Sequence, residues 1–167
     1  KFTSFFLSNL TCSILILMQD YEFYHQHPVN QTIHFVCIPM LIITFMNYFS
    51  KVYICLDKYK DHYMIEITLK SLLELYYIFY YFSLSMSTGI IIMFYMSILG
   101  EISKYWLKND KRCLTNTTKL FLLSWLLQFA GHLIEGKRPA LVDGFTSSFI
   151  QAPLFSLSYA MPFLKLK

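Results

Sequence analysis

The chain has 167 residues, is 56% hydrophobic and 19% aromatic, and carries only 14% charged residues with a formal net charge of +4. Soluble domains carry about 25% charged residues, so this composition belongs to the membrane class, and a length of this size suits one small helical domain spanning residues 1–167. The basic residues are spread between apolar runs, which argues against nucleic-acid binding, and Cys12, Cys37, Cys55 and Cys113 form no Cys-x-x-Cys pair, which excludes a zinc finger and gives little support to a disulfide framework.

Residues 1–20 contain a short apolar stretch, 4–18, which reads as a helix lying in the interface or packed on the bundle. One preceding Lys and no small-residue cleavage site argue against a signal peptide. Residues 21–34 follow as a polar segment with three histidines. Five apolar stretches near 33–50, 66–83, 87–106, 118–134 and 144–164 then approach the ~20 residues that a membrane span needs. The expected fold is therefore an all-α polytopic transmembrane bundle of about five spans. Between the first two spans, residues 51–65 turn polar and read as a solvated loop or short surface helix. Ser83 to Gly89 forms a tight turn, and Lys108 to Arg112 an exposed loop. Pro39, Pro153 and Pro162 fall inside apolar runs, where they kink helices. The second polar segment covers residues 128–143.

Four spans separate the two polar segments, so both lie on one membrane face. One span more or fewer would separate them. Eleven of the 14 basic residues fall on the opposite face, which the positive-inside rule makes the cytosolic or matrix side.

Polar groups at membrane depth are costly, so the two segments need a reason to persist. With a helix restarting at Pro28, Asn30 and His34 share a face, as do Tyr21 and His25 if the piece before it is helical. His132 and Glu135, three apart, share a face of a later helix, a spacing used in bundle metal sites. Asp143 is placed to cap the last helix. Three histidines and a carboxylate suit Fe(II), Zn(II) or Mn(II) with open positions for O₂ or substrate; the alternative is a set of hydrogen-bonded core histidines. His27 is off the face of His25 and His62 sits in a charged loop, so neither is taken as a ligand. Asn9, Asn30 and Asn116 stand in glycosylation-type triplets that are common by chance. Tyr76, Tyr77, Tyr80 and Tyr81 with Phe79 and Phe82 read as an aromatic belt or packing surface.

The two segments together resemble the membrane 2-hydroxy-fatty-acid dioxygenase family. Its pattern of Tyr, His, Asn and His running into a span with a Pro is matched by Tyr21, His25, Asn30, His34 and Pro39. Its Gln-Phe-x-Gly-His stretch with a following acid, basic pair and Pro-Ala-Leu is matched by Gln128, Phe129, Gly131, His132, Glu135, Lys137, Arg138, Pro139, Ala140 and Leu141, with Asp143 after them. The resemblance runs from about Tyr21 to Pro162. Cys37, where members usually have Gly, and His27 depart from the pattern. The resemblance implies an Fe(II)-dependent enzyme of the endoplasmic reticulum membrane that uses O₂ to shorten a 2-hydroxy fatty acid by one carbon, an α-oxidation step. It implies His25, His34 and His132 as iron ligands. Asn30, Glu135 and Asp143 would complete the catalytic site by supporting those ligands or adding one more. Lys137 or Arg138, with Arg138 favoured for its bidentate guanidinium, would receive the substrate carboxylate. The rival expectation is a catalytically silent descendant serving as a structural subunit of a larger membrane complex, with the mitochondrial inner membrane as the alternative location. A transporter lacks the expected charged or broken mid-span helices.

Overall fold

The computed structural model describes residues 24–55 and 66–160. Tyr21, the 4–18 stretch, His62 and Pro162 lie outside them. Six helices, α1 Pro28–Phe49, α2 Leu69–Leu84, α3 Met86–Asn109, α4 Cys113–Glu135, the short α5 Ala140–Asp143 and α6 Phe145–Ala160, make up most of the described chain. Two short strands, β1 Tyr53–Cys55 and β2 Glu66–Thr68, lie between α1 and α2 and pair antiparallel with Tyr53 opposite Thr68. The expected loop or surface helix at 51–65 is thus flanked by a strand pairing. That pairing takes up residues 66–68, so α2 begins later than the sequence suggested, with Thr68 as its N-cap.

Helix boundaries follow local chemistry. His27 accepts the Val29 N–H at 3.2 Å through its Nδ1, and Pro28 opens α1 where a missing N–H costs nothing. Ser85 ends α2 and caps α3 through its hydroxyl, so the expected turn is a single residue. Asp110 holds the α3–α4 link, accepting the Trp106 indole N–H at 2.9 Å and the Asn116 amide at 2.6 Å. These bonds, that from Asn116 foremost, keep its carboxyl below the usual carboxylate range. Gly136 ends α4 in the left-handed region at φ 73°, which only glycine adopts without strain.

Helix α1 is the central element, packed against α4, α6, α3 and α2. The residues it buries include Asn30, His34, Thr44 and Asn47, while large apolar side chains face outward: Phe79, Leu126 and Leu133 are 70%, 66% and 82% exposed. A polar interior under an apolar skin fits a lipid surrounding better than an aqueous one. Helices α1 and α3, of 22 and 24 residues, are long and apolar enough to cross a membrane. By that measure the expected number of about five spans is not reached. Helices α2 and α6, of 16 residues each, are ~24 Å long against a hydrocarbon core of about 30 Å. Helix α4 carries polar residues along its length, including Asn116, Thr117, Ser124, Gln128 and His132.

Both interior prolines have their freed carbonyls satisfied from another helix. Pro39 cannot donate to Phe35, whose carbonyl accepts the Ser156 hydroxyl at 3.2 Å; Pro153 cannot donate to Phe149, whose carbonyl accepts the Tyr77 hydroxyl at 2.9 Å. The Tyr81 hydroxyl donates to Ile150 at 2.6 Å beside it. Two of the tyrosines read as a belt are therefore buried ties to α6. Lower in the bundle Asn47 joins three helices, donating to Thr117 at 2.9 Å and accepting from Ser103 at 2.7 Å. A double-mutant cycle tests the proline account. Tyr77→Phe is expected to lower unfolding stability in detergent by about 1–2 kcal/mol, because a buried carbonyl loses its donor. In a Pro153→Ala background the restored backbone N–H reaches Phe149, and less than about half of that loss is expected. An equal loss in both backgrounds would rule the pairing out.

Candidate metal centre

Three helix-end features bring the histidines together. The cap at His27 starts α1 so that Asn30 and His34, one turn apart, both face inward. His25 comes from the turn before α1 rather than from a helical piece, which corrects the expected geometry. Pro28 forbids a continuous helix there, and the Gln31 side chain holds that turn by donating to the His25 carbonyl at 2.7 Å. His132 faces them from the last turn of α4, where the Lys137 N–H closes back onto its carbonyl at 3.2 Å. A Cβ at Gly131 would collide with the Asn30 side chain, so glycine there permits the close approach of α1 and α4.

The ring centroids of His25 and His34 lie 4.3 Å apart, those of His25 and His132 4.8 Å, and those of His34 and His132 5.0 Å. All three rings are buried, and each offers a nitrogen within 4.8 Å of the others. His34 Nδ1 lies 3.0 Å from the Asn30 carbonyl. A carbonyl only accepts, so that nitrogen carries the proton and Nε2 keeps its lone pair. Three buried imidazoles suit a first-row divalent ion, and a three-histidine set leaves positions open.

Glu135 lies outside the cluster and fastens it. One carboxylate oxygen accepts the Gln26 N–H at 2.7 Å, the other the Asn30 side-chain amide at 2.6 Å, and Lys137 stands 3.6 Å away. Burial alone would raise its pKa. The bonds from Asn30 and from the Gln26 and His27 N–H groups, with the Lys137 charge, outweigh burial and hold it below the usual carboxylate range. The same Asn30 amide stands 3.5 Å from His132 Nδ1. The Lys137 ammonium also donates to Gln26 Oε1 at 2.9 Å. Arg138 is exposed, in the connection between α4 and α5. Asp143 ends α5 rather than standing ahead of α6 in an irregular segment, and its side chain lies outside the described residues.

A cavity of about 70 Å³ reaches all three rings. From them it runs between α1, α4 and α6, walled by Ile38, Leu41, Ile42 and Phe45 on α1, Trp125 and Phe129 on α4, and Phe149, Ala152 and Pro153 on α6. His34 to Phe45 covers eleven residues, a rise of ~16 Å along α1. Its other polar walls are Gln128, Ser148 and Tyr77, whose hydroxyl is already bonded to the Phe149 carbonyl. Sequence reasoning did not assign Gln128 a role; its place one turn before His132, on the same face of α4, was the available signal.

Residues 13–163 match a family described as 2-hydroxy-palmitic acid dioxygenase Mpo1-like. The protein named 2-hydroxy-palmitic acid dioxygenase MPO1, from Saccharomyces cerevisiae, is 29% identical over 138 residues, which are 81% of this chain and 72% of the yeast protein. No solved structure matches the chain.

Proposed function

The chain belongs to the 2-hydroxy-palmitic acid dioxygenase Mpo1-like family, and on that premise we propose that it is an Fe(II)-dependent dioxygenase that shortens 2-hydroxy fatty acids by one carbon. The observation that carries this reading is the cavity, which joins three converging histidines to apolar walls on α1, α4 and α6. His25, His34 and His132 would hold the iron, which when bound supplies the activation of O₂ that no side chain provides. The electron balance closes without an outside reductant. The C1–C2 bond breaks, C1 leaves as CO₂, C2 becomes the new carboxyl carbon, and the four electrons released reduce O₂, one oxygen atom leaving as water.

The protein's own groups do the binding and orienting. The carboxyl end of the acid lies at the histidines, and the alkyl chain follows the apolar wall toward Phe45. Arg138, beside the cavity-lining Pro139, meets the carboxylate on entry, with Lys137 close by. Asn30 fixes the His34 tautomer and Glu135 fixes Asn30; Asp143 would support these ligands or add one more. The apolar walls exclude water, which strengthens each of these polar contacts. The whole chain is one membrane domain of about five spans, set in the endoplasmic reticulum membrane. The shorter helices complete the bundle around α1, and the outward apolar faces support this arrangement.

The test is metal analysis of the purified protein together with turnover of 2-hydroxypalmitic acid labelled at C1, under O₂ with added Fe(II). The expected result is about one iron per chain, label released as CO₂, and a fatty acid one carbon shorter. No metal and no turnover would leave a helical bundle in which the histidines only pack.

A further inference from the structure

We propose that Gln128 recognises the 2-hydroxyl group of the substrate and thereby separates 2-hydroxy fatty acids from unsubstituted ones. The proposal rests on the dioxygenase reading of the cavity. Gln128 is 7% exposed, on α4, and lines the cavity together with the three histidines. Its Nε2 is buried and makes no hydrogen bond. A buried amide donor left unsatisfied is a standing cost, which a leucine of similar volume would not carry. Such a group stays in a packed wall when a ligand completes it.

Position and chemistry then select the ligand group. Gln128 precedes His132 by four residues, a rise of ~6 Å along α4. An acid whose carboxyl end lies at the histidines has its first carbons at that depth. The neighbours of Gln128 in the cavity are apolar on α1, with Ile38 one turn below His34. An unsubstituted methylene there leaves the amide orphaned with water excluded. A hydroxyl on C2 both donates and accepts, as does the carboxamide, so the two complete one another. A site built to bond a substrate hydroxyl discriminates strongly against the analogue that lacks it.

The experiment compares binding of 2-hydroxypalmitic and palmitic acids to the full-length protein in detergent, without O₂, read by tryptophan fluorescence, since Trp125 lines the same cavity. Wild type is expected to prefer the hydroxy acid. Gln128→Leu is expected to weaken that acid by about tenfold, leave palmitic acid unchanged or tighter, and melt no lower than wild type in the empty state. Retention of the preference in Gln128→Leu would overturn the assignment and leave the dioxygenase reading intact. Equal weakening of both acids would also overturn it, making Gln128 a residue that shapes the cavity. Wild-type protein that binds both acids equally would overturn the assignment alone; wild-type protein that binds neither would remove the dioxygenase reading with it.

Discussion

Replacing His25, His34 or His132 by alanine, one at a time, is expected to abolish metal uptake. Each ring comes from a different mounting: the turn before α1, the first third of α1, and the last turn of α4. Among the described residues no other histidine is placed to substitute, because His27 is exposed and spends its Nδ1 on the α1 cap. Two imidazoles remain in each variant, and the affinity is expected to fall by more than about 100-fold, beyond what losing a group that merely supports a ligand costs. Melting temperature gives a second readout. At 100 times its Kd a divalent ion stabilises the wild type by about 2.7 kcal/mol, and the three variants are expected to show no such shift. Full occupancy in all three would sink the metal centre; loss in two of them would relocate it.

The features legible in the sequence were those with a local or counting origin. Apolar length placed the helices, Pro28 marked the restart of α1, and the Ser83–Gly89 turn resolved to Ser85. Counting elements between the two polar segments put both at one end of the bundle, and His25, His34 and His132 do meet there. What was not legible depends on partners distant in sequence. The start of α2 shifted because residues 66–68 pair with residues 53–55, and no periodicity within either segment reports that. Spacing alone left Tyr77 and Tyr81 as a belt or a packing surface, since only the folded chain brings the carbonyls near Pro153 against their hydroxyls. Of the expected histidine-plus-carboxylate grouping, the three histidines come together and the carboxylate stands outside them. The place of Glu135, fastened to Gln26 and Asn30 rather than turned into the cluster, follows from Gly136 ending α4 just where the pre-α1 turn crosses it.

Glu135→Ala is expected to weaken metal binding by about 10- to 100-fold without removing a ligand. The carboxylate acts by two routes. Through the Gln26 N–H it holds the turn that carries His25, and through the Asn30 amide it holds the residue whose carbonyl fixes His34. Alanine removes the carboxylate acceptor from both donors, at a cost of about 1.5–3 kcal/mol for each bond to the charged group in unfolding stability, softened where water enters. Glu135→Gln keeps the shape and one acceptor, turns an NH₂ toward the second donor, and falls between wild type and alanine. The pH dependence separates this fastening from titration of the histidines. The folded-state pKa of Glu135 is lowered, so its contribution is present above the unfolded value of 4.5 and is lost as pH falls through the folded value. Metal-free wild type should therefore lose stability below that pH more steeply than metal-free Glu135→Gln. Parallel acid limbs would mean that the carboxylate is no more than a bystander at the surface of the cluster, and the tenfold or greater loss of metal would have to come from elsewhere.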